Sequence, residues 1–295
     1  MDELSQWLHD EGFVQFKEAK TLNEETSKTD PETEPYQSKY KARAIWKGLK
    51  AKLEDFIEDR DTIFLSEQIT KESVKSVEPT AALDDINLVI GEESTNGSWL
   101  SNTNGTANDL CKVSIRALLT IVTYELGANF VECEEIGTGD DYLNKCLGFT
   151  EDHCLEPDMI SVQLAVLNQL SVIDSNRGVN NKALERLKVA ESLYQRVKAE
   201  GINCPLYYGE VWSQPDEYLT EKTRSDNFEK LYTLTLYYLA QVYGCLNELE
   251  LSGRYCHITL ARQMKTGQYE PLDWSLNCAT LSQYYVTKDQ YAFSR

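Results

Sequence analysis

Proline and glycine are scarce in this chain, seven and fifteen in 295 residues. Low usage of both argues against a turn-rich β architecture and for helices. Long apolar runs are also missing, so no bilayer-spanning helix and no membrane insertion are predicted. The first residues, MDELSQWLHDEGF, lack a basic region leading into an apolar one, and no secretory signal is read there. None of the eight cysteines forms a CxxC pair, which fits buried thiols in a reducing, cytoplasmic compartment. Positive charge is in short supply: 29 Lys and Arg stand against 48 Asp and Glu, a net charge of −19. That balance excludes nucleic acid as a partner, because phosphates demand cations. It admits a basic protein partner, with solubility alone as the plainer reading.

Recognisable catalytic chemistry is lacking too. His153–Cys154 and the Cys256–His257 pair have no further ligands at zinc-site spacing. No GxxxxGK[ST] loop, no GxGxxG after a strand and no GxSxG elbow occurs. No catalytic residue, cofactor or metal is assigned, and the expectation is a protein that binds and does not catalyse.

What the chain does have is a pattern used four times. It reads Leu, a small residue at +1, an aromatic at +4 and a second helix beginning near +8. The copies start at Leu126, Leu170, Leu239 and Leu281. Gly127 and Phe130 fill the pattern in the first, Ala240 and Tyr243 in the third, Ser282 and Tyr285 in the fourth. The second keeps Ser171 but has Asp174 at the aromatic position. A Leu on the seam, a small neighbour and a ring one turn on are what two closely packed helices need. The phase continues into the second helix: Gly139, Leu143 and Cys146, then Ala183, Leu187 and Ala190, then Ser252, Cys256 and Thr259. Gly178, at +8, marks a turn. These offsets resemble the tetratricopeptide repeat, with helices longer than its usual ~34-residue unit allows. A generic long-helix bundle is the alternative.

The expected organisation is helical over residues 1–57, an acidic flexible linker over 58–106, and repeats over 107–295 with an insertion at about 201–226. Helices are expected near 35–58, 108–130, 134–150, 157–176, 179–200, 225–246 and 249–266, with a last one from about Asp273. The fold class is all-α, a tetratricopeptide-like right-handed solenoid. The fourth copy reaches Arg295 at the turn into its partner helix, so the solenoid is expected to be incomplete at its C-terminal end.

Residues at −5, −2, +2 and +5 from each repeat Leu are expected to face the concave side. The candidates for partner contact are Asn168, Tyr237, Gln241 and Gln283, with Tyr238 adjoining. Tyrosine combines apolar area with a hydroxyl, which suits a hot spot. Packing between helices is the competing reading for the tyrosine pair. Tyr207, Tyr208, Trp212 and Tyr218 in the insertion offer a second surface, or else plug the solenoid edge.

Four blocks carry a closer likeness: EPYQSKYKARAIW (34–46), LNKCLGF (143–149), NFEKLYTLTLYYLAQVYGCLNELELSGRYCHITLARQM (227–264) and WSLNCATLSQYYVTK (274–288). They resemble the N-terminal half of the KIF-binding protein family. The resemblance implies a cytoplasmic, cytoskeleton-associated adaptor that binds kinesin motor domains and regulates their attachment to microtubules. It also implies longer members, roughly twice this length. The alternative is a tetratricopeptide scaffold or co-chaperone for an unrelated protein. A co-chaperone clamp needs a cationic groove, and the predicted concave face offers Leu, Ala, Tyr and Gln.

Overall fold

The computed structural model describes residues 3–30, 32, 34–75, 114–151, 155–202, 205–267, 269 and 271–288. Every regular element among them is helical. Helix α1 (Glu3–Trp7) continues through one π-helical stretch, Leu8–Gly12, into α2 (Phe13–Thr29). Then come α3 (Gln37–Lys75), α4 (Ile115–Glu132), α5 (Ile136–Glu151), α6 (Ile160–Asn176) and α7 (Asn180–Ala199). A short α8 (Tyr208–Val211) precedes α9 (Glu221–Cys245), α10 (Leu249–Thr266) and α11 (Pro271–Thr287).

The helices pair as hairpins: α2 with α3, α4 with α5, α6 with α7, α9 with α10. Each hairpin then packs on the next, through α3 on α4, α5 on α6 and α7 on α9. The chain is therefore a helical solenoid in which each unit touches its neighbours. The first helices α4 and α6 have neighbours on several sides and are buried nearly all round.

The repeat pattern accounts for the hairpins atom by atom. Leu126, Leu170 and Leu239 are fully buried on the seam. A Cβ on Gly127 would lie 2.8 Å from the Leu143 side chain, so α4 and α5 approach at a distance only glycine permits. At +8 the backbone turns left-handed in all three copies: φ is +64° at Glu134, +78° at Gly178 and +62° at Asn247. The second-helix positions are buried throughout, from Leu143 and Cys146 to Cys256 and Thr259. The aromatic at +4 meets the residue at +16. Phe130 stacks on Tyr142, and Tyr243 on Tyr255, with centroids 5.2 and 5.5 Å apart. In the second copy the same two positions hold Asp174 and Arg186, an ion pair at 2.9 Å.

Three boundaries differ from the sequence reading, one being the start of α4, expected near residue 108 but placed at Ile115 by the Ser114 cap, whose side chain accepts from the Ala117 amide. Helix α3 runs on to Lys75, into the segment read as linker. No glycine or proline falls between Gly48 and Pro79, so nothing local stops the helix there. Residues 76–106 of that segment, His153 and Cys154, and the expected interruption after Lys288 lie outside the described residues. Helix α9 begins at Glu221, ahead of the expected end of the insertion, with the Thr220 side chain accepting from the Thr223 amide as its cap.

The insertion plugs the structure through Trp212, while Tyr207, Tyr208 and Tyr218 are half-buried. The Trp212 ring, 2% exposed, stacks on Phe16 of α2 at 4.9 Å, and its Nε1 donates to the Leu118 carbonyl at 3.1 Å. Tyr208 meets Tyr124 edge-on at 5.2 Å. Glu210, buried, accepts from Arg224 Nε at 2.7 Å and from the Leu219 amide at 3.0 Å. The insertion thus joins α2, α4 and α9.

Candidate functional site

One open groove runs between α9 and the α10–α11 side of the last hairpin, with a volume of about 620 Å³. From α9 come Asp226, Lys230, Thr233, Leu234, Tyr237 and Tyr238. Opposite them stand Gln263 and Thr266 near the end of α10, then Gly267, Tyr269 and Asn277. Gly267, with φ at +65°, ends α10 in the left-handed conformation and turns the chain towards α11.

The α9 wall is fixed by a polar knot behind it. Glu229 receives Tyr194 Oη at 2.8 Å and Lys198 Nζ at 2.7 Å from α7, and Arg262 of α10. Arg262 Nε also donates to Thr233 Oγ1 at 3.1 Å. Burial pushes the Glu229 carboxyl up, but the hydrogen bonds from Lys198, Tyr194 and Arg262 outweigh it and hold the group below its ordinary value. Burial, then the Glu229 hydrogen bond, pushes Tyr194 up to about 12. The site wall therefore presents fixed side chains, with its charges neutralised behind it.

The five candidate residues are treated unequally by the fold. Tyr237 and Tyr238 both line the groove, their rings 5.4 Å apart. Tyr238 is also packed against the core, so for this residue the two readings of the tyrosine pair both apply. Gln241 lies one turn beyond Tyr237 and is exposed. Gln283 is exposed on α11, on a face shared with Leu276, Ala279 and Val286. Asn168 is a correction: it is 5% exposed and already occupied. Its Nδ2 donates to the Leu231 carbonyl at 3.2 Å, and its Oδ1 accepts from Thr235 Oγ1 at 2.9 Å. Helix α9 closes over the concave face of α6, whereas between α9 and α11 the groove stays open. Sequence reasoning missed the far wall, Gln263, Tyr269 and Asn277. The available signal was Asn277 itself, a polar residue inside the apolar run WSLNCATL.

Among the described residues no three His, Cys, Asp or Glu side chains gather as metal ligands. No described helix is long and apolar enough to cross a membrane. Among the described residues, Lys230 is the single cation on the groove lining. The arrangement suits binding through aromatic area and amide hydrogen bonds.

Comparison with known proteins adds a lineage. No family model matches the chain. It is similar to the KIF-binding protein of Gallus gallus, 34% identical over 280 residues, which are 95% of this chain and 39% of that protein. The Homo sapiens KIF-binding protein is 35% identical over 274 residues, covering 92% of this chain and 40% of its own. That of Drosophila melanogaster is 32% identical over 281 residues, 95% and 40%. Among solved structures, the cryo-EM structure of KIFBP core aligns at TM-score 0.42 with 30% identity, over 61% of this chain and 58% of that one. The crystal structure of BtubC (BKLC) from P. vanneervenii aligns at TM-score 0.46 with 14% identity, over 95% and 85%. The fold assignment rests on the helix packing described above and on neither alignment. Sequence identity sustained over nearly the whole chain decides the lineage: it belongs to the KIF-binding protein family and spans about two fifths of the length of the curated relatives it matches.

Proposed function

We propose that this chain is a non-enzymatic adaptor that binds kinesin motor domains and regulates their attachment to microtubules, in the cytoplasm and on the cytoskeleton. The observation that carries the reading is identity above 30% along almost the entire chain to proteins named for binding KIF, the kinesin family. The groove supports it with an aromatic wall, Tyr237 and Tyr238, and with exposed Gln241 one turn away. The net charge of −19 supports it from a distance. Motor domains hold acidic tubulin through basic surface, and an acidic solenoid competes for that surface. A co-chaperone role is disfavoured, since the groove lining carries one cation among the described residues.

Pull-down of purified kinesin motor domains by the native chain and by the Tyr238→Ala, Gln241→Ala double variant tests this. Retention by the native chain and a loss of about tenfold or more in the variant is expected for central contact residues. Equal retention removes both residues from the site. No retention by the native chain removes the kinesin reading for this part of the family's length. If competition with microtubules does not weaken as salt rises from low to physiological strength, the electrostatic component is wrong.

A further inference from the structure

Helices α10 and α11 hold two free thiols on facing sides of their seam. The register of the two helices is set at two points. A Cβ on Gly253 would lie 2.8 Å from the Tyr284 ring. One turn along α10, the Cys256 thiol donates to the Asn277 carbonyl at 3.1 Å. Trp274, Cys278 and Leu281 pack on the small core of Ala240, Cys256 and Leu260. Their spacing on α11 puts the Cys278 side chain on the face turned towards Cys256. The Asn277 carbonyl oxygen is ~2.8 Å from the Cys278 Cα across the peptide unit, which places Cys256 Sγ within about 6 Å of that Cα. Disulfides span ~4.4–6.8 Å between Cα atoms, and drawing two helices together at a glycine favours such separations.

We propose that Cys256 and Cys278 are a redox-sensitive staple, forming a reversible disulfide that locks α11 onto α10 when the thiol–disulfide balance turns oxidising. Glutathione disulfide is the oxidant. Cys278 is half-buried and Cys256 fully buried, which sets the order of attack. The Cys278 thiolate attacks one sulfur of the oxidant, the S–S bond breaks, and one glutathione leaves with the Cys278 proton. The Cys256 thiolate then attacks the Cys278 sulfur of the mixed disulfide, and the second glutathione leaves with the Cys256 proton. Two cysteine thiols are oxidised, and one glutathione disulfide is reduced to two glutathiones. Burial, then the nearby Cys278 thiol, pushes Cys256 up to about 11, and burial raises Cys278 as well. Neither thiolate is stabilised in the reduced chain, so the pair reacts slowly but holds the disulfide firmly once it forms. The bond closes a loop of about 20 residues, and that restraint opposes opening of the last helix pair.

The test equilibrates the native chain with reduced glutathione alone and with excess glutathione disulfide. Each sample is alkylated, digested and mapped by mass spectrometry. A peptide pair joining Cys256 to Cys278 is expected in the oxidised sample alone, and dithiothreitol removes it. Hydrogen exchange of the Pro271–Thr287 helix slows about a hundredfold in the oxidised chain. In Cys278→Ser the same oxidant leaves that exchange unchanged. Cys278→Ala behaves alike and keeps the comparison valid if the serine hydroxyl loosens the helix pair. Glutathione left on Cys278 with no internal bond, or a bond from either cysteine to a different one, overturns the inference. So does equal slowing of exchange in the two variants, or a pair that stays reduced at equilibrium with excess glutathione disulfide.

Discussion

Asp174 and Arg186 form an ion pair at 2.9 Å where the neighbouring repeats place stacked rings. Phe130 and Tyr142 occupy the same two offsets in the first copy, Tyr243 and Tyr255 in the third. Asp174 is buried, and Lys182 at 3.2 Å is its second cationic neighbour. One structural position, the bolt between two helices of a hairpin, is thus filled by two unrelated chemistries.

Breaking the pair and replacing it should differ in sign. Asp174→Ala leaves the Arg186 guanidinium buried without its carboxylate and is expected to destabilise by about 3–5 kcal/mol. The double change Asp174→Phe, Arg186→Tyr restores the rings used by the neighbouring hairpins. It is expected to be neutral or stabilising by about 1–4 kcal/mol. Urea unfolding of the three proteins checks both. A double variant as unstable as the single one would mean that this hairpin cannot hold a ring pair.

Three glycines separate three physical effects. Gly127→Ala drives a Cβ to within 2.8 Å of Leu143 and should cost about 1–3 kcal/mol through overpacking. Gly178→Ala meets nothing within 4 Å but keeps φ at +78°, so about 1–2 kcal/mol of backbone strain is expected. Gly48→Ala, inside α3 with open space around it, should stabilise by about 0.5–1 kcal/mol. Thermal unfolding midpoints should rank Gly48→Ala above native, and both above the other two.

Trp212 makes the insertion part of the fold. Trp212→Ala removes the stack on Phe16 and the hydrogen bond to Leu118. A loss of about 3–5 kcal/mol is expected for a large buried ring. Hydrogen exchange should then rise in α2 and in the 205–220 segment together. Exchange confined to the insertion would show that α2 docks without it. Lys17→Ala cuts only the exposed contact to Glu217 and should leave the unfolding midpoint where it is.

Acid should loosen the wall of the groove. Glu229 sits below its ordinary value of 4.5 in the folded chain. A depressed carboxyl adds stability above its unfolded value, and that stability is lost as pH falls through the folded one. The native chain should therefore exceed Glu229→Gln in thermal stability at pH 7. The difference should shrink as pH drops below about 4.5. A difference that stays constant down to pH 3 would remove the ionised Glu229 from the knot with Lys198, Tyr194 and Arg262.

Much of the hairpin geometry was legible before any coordinates. The spacing of Leu126, Leu170 and Leu239, with their small and apolar followers, placed three hairpins to within a few residues, because helical period and seam packing act locally. The end of α3 was not legible: the acidic composition after residue 58 suggested a linker, while the absence of helix breakers favoured continuing the helix. The left-handed turn at Glu134 was hidden as well, since Gly178 and Asn247 are residue types that favour that conformation and glutamate is not.

The candidate site divides along the same line. Tyr237 and Gln241 carry the −2 and +2 offsets on α9, with Tyr238 adjoining, and all three keep some exposure. Asn168 carries an equivalent offset, yet the fold consumes it, because helix α9 closes over α6 and takes both ends of its amide.

The sequence by itself determined the helices, their pairing and the seam residues, since these depend on contacts a few turns apart along one chain. Tertiary structure alone decided which concave positions stay open, where the insertion docks, and that the Asn277 side chain lies buried and unpartnered across the groove from Tyr237. The physical reason is that exposure is set by elements distant in sequence. A polar side chain carries the same donors and acceptors whether a neighbouring helix satisfies them or leaves them waiting.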